Sequence, residues 1–359
     1  MKTSGTDQKN QIRLVRNVKI TGLACAVPEA VSEVLSLADQ FGDENVKKII
    51  SSTGIERRHI VSNECSSDLC LAAARRLMAD MSINPESIDT LIFVSQTHDY
   101  ILPATACILQ EKLGLPLRTA AFDIALGCSG YIYGLWVASS LVSGGGSKRV
   151  LLLVGDTISK IVSEQDRSVC ALFGDAGSAT LLDYDESAAE IPFLLGTDGR
   201  GAQNLIVPAG GFRDRQGLNS TVVDEKVRGL FDLYMNGAEI FAFTLARVPA
   251  MVDALSESGT KPIDKYVFHQ ANQFMLKHLA KRMKLPEEKL VLALRDFGNT
   301  SCASIPLALS HLNDTDTTGV NGRYMLAGFG VGYSWAGCIA ELGNVSISPL
   351  TITNKEENQ

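Results

Sequence analysis

The strongest constraint on this chain is a repetition of wording. The segments SIDTLIFVSQT (87–97) and PIDKYVFHQAN (262–272) lie about 175 residues apart. Each passes from an acidic turn into a short apolar run rich in β-formers and ends in a polar tip. The first is followed by AFDIALGCSGYIYGLWVASSLV and the second by LRDFGNTSCASIPLALSHL, so each half reads as strand, glycine-containing turn and apolar helix. A third pair keeps the order: KRVLLLVGD (148–156) and GRYMLAGFG (322–330). Matched order and spacing predict an internal duplication, with two similar α/β halves at residues 17–185 and 186–345. Residues 186–234 carry Gly, Asp, Arg and Asn without clear period and read as excursion loops and hairpins. Polar tails flank the halves, the last ending in NKEENQ.

Composition fits two globular halves around a large core: 359 residues, 45% hydrophobic and 20% charged. The first sixteen residues are polar and lack the apolar region of a signal peptide. No run of eighteen apolar residues occurs, so a cytoplasmic location is expected. A net charge of -7 excludes broad attraction to nucleic acid or anionic membrane. The eight cysteines contain no CxxC pair and no zinc-like spacing with histidine, so they read as reduced thiols, mostly small core residues, with no metal site.

Three positions stand out. Cys128 lies in GCSG between a strand-like run and a helix-like run, which puts its sulfur near a helix N-terminus, where partial positive charge favours the thiolate. A buried structural cysteine is the commoner role; of the other seven only Cys302 comes close to this setting. His269 ends the run YVFH, at the carboxyl end of a strand, where α/β folds place active sites. His278 and His311 read as lying on polar helical faces, His59 and His98 as lying in loops. Asn299, in FGNTS, stands at another strand-to-helix turn, where asparagine is an ordinary N-cap. Taken singly, each residue has a structural explanation. Jointly they occupy strand-end or helix-start positions that a pseudo-twofold fold can bring to one point, and Cys with His and Asn is a known nucleophilic arrangement.

These residues also carry a family resemblance. TGIERRHI (53–60), GCSG at Cys128, DRSVCALFGDAGSATLL (166–182), HQAN (269–272), GNTSCASIPLAL (298–309) and GFGVGYSWAG (328–337) span nearly the whole chain. Together they resemble the beta-ketoacyl-[acyl-carrier-protein] synthase III family of the thiolase superfamily; HQAN with GNTS is the specific part, and GCSG alone is weak. The resemblance implies a thiolase fold, two pseudo-twofold-related βαβαβαββ halves forming a five-layered αβαβα sandwich. It implies that Cys128 takes an acyl group from coenzyme A or a carrier protein. Amides of Cys128 and of the loop Phe329 to Gly332 would then hold the oxyanion, and His269 and Asn299 would stabilise the enolate left when a malonyl-type thioester loses carbon dioxide. Coenzyme A and carrier phosphopantetheine are then substrates, and no cofactor is required.

By the same resemblance Arg167, Asn236 and Asn272 belong to the coenzyme A or carrier site, and Phe329 guards the cysteine. Leu102 falls near a phenylalanine that limits the acyl pocket across a homodimer interface. Lys277, Lys281, Arg282 and Lys284 form a basic cluster suited to an acidic carrier, or a solvated helix face. Other positions depart from the family: Lys48 stands for an adenine-stacking tryptophan, Ser52 for an arginine, Phe274 for the arginine after HQAN, and Val331 for a loop glycine. These departures point to a specialised synthase with an unusual primer. A housekeeping initiator of fatty-acid synthesis, an ester- or amide-forming acyltransferase and a non-catalytic partner subunit remain as alternatives.

Overall fold

The helix Gly130–Ser143 carries no charge in its 14 residues and is apolar on every side. Such a helix has no face to give to water and must lie between layers. It packs against the strand Arg149–Asp156 on one side and against Arg323–Gly330 and Ser334–Glu341 on the other. The helix Ser304–Thr315 shares this central layer, contacting Val18–Pro28 and Lys265–Phe268. Its Pro306 sits in the first turn, where a missing N–H costs no helical bond. Tyr131, Leu135 and Val142 of one helix and Ile305 and Leu309 of the other belong to one buried cluster.

The computed structural model describes residues 11–221, 227–259, 261–316 and 319–353. One sheet runs in the order Ser346–Ile347, Val18–Pro28, Ala176–Tyr184, Arg149–Asp156, Thr90–Val94, Ala120–Ile124, with Thr351–Thr353 also on Val18–Pro28. The other runs Arg13–Val15, Ile191–Thr197, Ser334–Glu341, Arg323–Gly330, Lys265–Phe268. The duplicated segments occupy matching places. Thr90–Val94 pairs in parallel with Arg149–Asp156, and Lys265–Phe268 pairs in parallel with Arg323–Gly330. Helices Ser66–Asp80 and Gly237–Glu257 cover the outer faces of the first and second sheets, which completes the five layers αβαβα. No helix among the described residues is long and apolar enough to cross a membrane.

Four details differ from the sequence reading. Ile191–Thr197 is a largely buried strand of the second sheet inside the stretch read as excursion loops and hairpins; its Pro192 faces the three-residue edge strand Arg13–Val15, where a missing donor is tolerated. The flanking tails are strands that cross over, residues 13–15 joining the second sheet and residues 346–353 the first; the terminal NKEENQ lies outside the described residues. The segment before Asn299 is a short helix, Leu294–Phe297, with no strand matching Ala120–Ile124. There Arg295 pairs with Glu56 at 2.8 Å and Asp296 with Arg57 at 2.9 Å, a charged exterior without the alternation a strand needs. Finally, His59 ends the short strand Arg57–His59 rather than lying in a loop.

Candidate active site

Cys128 falls between the edge strand and the first turn of Gly130–Ser143, and is buried. The strand Arg323–Gly330 passes so close beneath it that a Cβ at Gly330 would lie 2.8 Å from the sulfur, and one at Gly328 would lie 2.7 Å from the Cys128 carbonyl oxygen. Glycine is therefore required at both by close approach. Burial pushes the thiol up to about 11; hydrogen bonds from the Val331 amide, its own amide and the Ser301 hydroxyl pull the other way, while the Asp156 charge adds to the rise. The lowered thiol pKa expected from the helix N-terminus is thus outweighed by desolvation in the free thiol. Val331 keeps negative φ between Gly330 and Gly332, both at positive φ, so the valine leaves its amide directed at the sulfur.

His269 follows the strand Lys265–Phe268 and is 2% exposed. Its Nδ1 lies 2.7 Å from Ser304 Oγ. That oxygen accepts from the Gln270 N–H at 3.3 Å and keeps its hydrogen for Nδ1, and the ring's other hydrogen bond, to the Ser301 backbone, favours a ring N–H; we assign the proton of the neutral ring to Nε2 on these grounds. Burial lowers His269 to about 4, partly opposed by a hydrogen bond to the Ser301 backbone. Phe329 meets the imidazole edge-on, with ring centroids 5.8 Å apart. Asn299 is pinned by its backbone, N–H to Leu172 O at 2.9 Å and C=O from Gly174 N at 3.1 Å. Its Oδ1 accepts from the Ser301 N–H at 2.9 Å, which leaves the amide's donor end for the site.

Ser301 therefore bears on all three residues: it lines one cavity with Cys128 and its hydroxyl favours the thiolate, its amide donates to Asn299 Oδ1, and its backbone hydrogen-bonds the imidazole. It holds a left-handed φ of 49°, uncommon for a residue with a side chain and characteristic of functional turns. Sequence reasoning did not single it out, although the motif GNTS contains it. Gln96 was missed as well; its position at the tip of the first repeated segment was the available signal. Gln96, Cys128 and Ser301 line a cavity of about 210 Å³ whose remaining wall is mostly apolar, including Ile158, Phe173 and Leu233. Cys302, the other cysteine at an elbow, is fully buried, with its thiol over the Val94 carbonyl and its pKa raised by burial.

The other candidates are scattered. Arg167 is exposed. Asn236 and Asn272 are N-caps, accepting from Glu239 N at 3.3 Å and Met275 N at 2.8 Å. Leu102 is 78% exposed on the loop after Thr90–Val94 and does not line the cysteine cavity. Lys281 and Arg282 close the helix Gln273–Arg282, exposed like Lys277 and Lys284, where positive charge suits a helix C-terminus. Lys48 and Ser52 are exposed on the helix Asp43–Thr53. Phe274, half exposed, stacks with His278 and Phe241.

Comparison with known proteins gives a consistent result. The family described as 3-oxoacyl-[acyl-carrier-protein (ACP)] synthase III matches residues 122–199, and the family of its C-terminal part matches residues 255–342. A beta-ketoacyl-[acyl-carrier-protein] synthase III of Caldanaerobacter subterraneus subsp. tengcongensis is 35% identical over 325 residues, covering 89% of this chain and 96% of that protein. The crystal structure of a 3-oxoacyl-(acyl-carrier protein) synthase from Burkholderia xenovorans LB400 superposes with a TM-score of 0.90 at 41% identity, over 96% of this chain and 99% of that one. A priming beta-ketosynthase from the R1128 polyketide biosynthetic pathway superposes with a TM-score of 0.79 at 26% identity, over 92% and 97%.

Proposed function

The chain belongs to the 3-oxoacyl-[acyl-carrier-protein] synthase III family and is an acyltransferase of the condensing type, and from that premise we propose that Cys128 is its acyl-carrying nucleophile and that His269 and Asn299 serve the carbon–carbon bond-forming step. The Cys128 thiolate attacks the carbonyl of an acyl thioester, the amides of Cys128 and Val331 hold the oxyanion, and the carrier thiol departs with a proton. A malonyl-type thioester then loses carbon dioxide. His269 Nε2–H and the Asn299 amide donate to its carbonyl oxygen, and the enolate carbon attacks the acyl-cysteine to release a β-ketoacyl thioester and the free thiol.

One observation carries this reading. The imidazole is buried, held toward its neutral form and engaged at Nδ1 by Ser304, and the Asn299 amide, joined to it through Ser301, has its Oδ1 engaged by the Ser301 N–H. The pair offers two donors and no vacant base. Decarboxylation needs only donors at the developing oxyanion, whereas ester or amide formation needs a base for an alcohol or amine. Intact mass after incubation with acyl-coenzyme A and acyl-carrier panels, with Cys128→Ala as control, tests the first half. Carbon dioxide release from malonyl carrier tests the second; adduct without release would refute the condensing assignment.

The specialised role is the finer part of the reading. Lys48 and Ser52 stand on exposed helix positions where the family resemblance expects groups that grip coenzyme A, and Phe274 stands for the arginine expected after HQAN, which together favour a carrier-bound or unusual acyl donor. The housekeeping role is favoured instead by the curated relatives, whose name is beta-ketoacyl-[acyl-carrier-protein] synthase III with no special primer. The basic face around Lys281 and Arg282 suits an acidic carrier. A homodimer would form through the open edge of Ala120–Ile124, next to the loop that carries Leu102.

A further inference from the structure

The fully buried Asp156 stands behind the cysteine, and its field opposes ionisation of the thiol. It takes no salt bridge from any described lysine or arginine, and it accepts instead from the Gln96 N–H at 2.7 Å and the Ser95 hydroxyl at 3.0 Å. Gln96 Nε2 lies 3.4 Å from the second carboxylate oxygen and 3.2 Å from Ser301 Oγ. The carboxylate fixes which end of the Gln96 amide faces it, because the reversed amide would set Oε1 against Asp156. An amide nitrogen can only donate, so Ser301 Oγ accepts from it. The single hydrogen of Ser301 is then left for the sulfur of Cys128, which lines the same cavity as Gln96 and Ser301 and whose ionisation the serine hydroxyl favours.

We propose that Gln96 and Ser301 form a relay of fixed polarity, in which the Ser301 hydroxyl donates to the Cys128 thiolate and Gln96 is the positioning residue that orients it. The inference rests on Cys128 being the nucleophile. It explains why a serine occupies a left-handed position where glycine or asparagine would be at less strain. It also gives a counterweight to burial and to Asp156, both of which disfavour the thiolate: a hydrogen bond to a full negative charge is about twice as strong as one between neutral groups.

The test is the pH dependence of alkylation of Cys128 by iodoacetamide in the intact protein, read on the Cys128 peptide by mass so that the other cysteines do not interfere. Ser301→Ala should raise the midpoint by about one unit and slow alkylation at neutral pH roughly tenfold. Gln96→Met, similar in size but without a donor, should move it the same way by roughly threefold, since the serine survives but is no longer oriented. Ser301→Gly suits the left-handed φ and replaces Ser301→Ala should that variant not fold. Midpoints for the serine and glutamine variants within a few tenths of wild type overturn the relay. Acyl loading of the wild-type protein separates this from the nucleophile assignment: wild-type loading with unshifted variant midpoints sinks the relay alone, and shifted midpoints without wild-type loading sink the acyl-cysteine reading alone.

Discussion

The two elbows of this duplicated chain do different work with the same scaffold. In the first half the edge strand Ala120–Ile124 turns at Cys128 directly into Gly130–Ser143. In the second the strand is replaced by Leu294–Phe297, and a tight turn, Ser301–Ala303, delays the helix Ser304–Thr315. The direct elbow presents one side chain, the thiol. The delayed elbow gives room for Asn299 and Ser301 to face the site together, with Ser304 behind His269. Each half lacks what the other supplies: apart from the cysteine's own amide, the donors around the sulfur, Val331 and Ser301, come from the second half. The difference between the halves is concentrated where nucleophile and neutral donors require different local geometry.

The two chemical steps then depend on different side chains, Cys128 for loading and His269 with Asn299 for condensation, and the largest effects follow from removing them. Cys128→Ala should abolish the acyl adduct. His269→Ala and Asn299→Ala should keep the adduct while condensation, measured as carbon dioxide release, falls by about 10²- to 10³-fold, the usual loss for a donor at a developing oxyanion. Loss of loading in the His269 variant at unchanged stability would break the comparison.

The same division explains what was legible in the sequence. The repeated segments disclosed the paired parallel strands because buried strands write themselves as apolar runs, and Cys128, His269 and Asn299 all fell at element ends. Ile191–Thr197 escaped because Pro192 and the surrounding polar residues masked a core strand whose place is set by its neighbours Ser334–Glu341 and Arg13–Val15. The crossed termini were hidden because three-residue strands carry too little pattern to show a partner. Gln96 and Ser301 escaped for a different reason: their significance lies in hydrogen bonds spanning 205 and 60 positions between segments, and polarity along a hydrogen-bond chain has no sequence period. The thiol pKa went the other way from expectation because the sequence shows a helix start but not how deeply the sulfur is buried.

A smaller effect sharpens the contrast between a buried neutral donor and an exposed one. His269 is lowered from 6.5 to about 4 by burial. The unfolded chain therefore binds more protons between those values, and folding stability rises with pH across that window. Stability is fully present above about 6.5 and lost as pH falls toward 4, by roughly 3 kcal/mol for this residue at about 1.4 kcal/mol per pH unit. His59, also lowered by burial, adds to the wild-type slope. Urea unfolding at several pH values, wild type against His269→Gln, isolates the His269 part; equal slopes would mean that the ring is not held neutral.

The smallest effect separates structure from binding at Asn272. Its side chain caps Gln273–Arg282 by accepting from Met275 N–H at 2.8 Å, and an N-cap is worth about 1 kcal/mol when replaced by alanine. Asn272→Ala should lower stability by that amount. Asn272→Ser should restore most of it, because serine caps nearly as well. If the residue also holds the thioester's pantetheine arm, the serine variant, stable but with a shorter side chain lacking an amide, should still show a raised KM for the acyl donor, about tenfold, with kcat little changed. An unchanged KM in Asn272→Ser would leave the cap as its whole role. The second elbow's donors would then be confined to His269, Asn299 and Ser301, which draws the line between scaffold and chemistry more tightly.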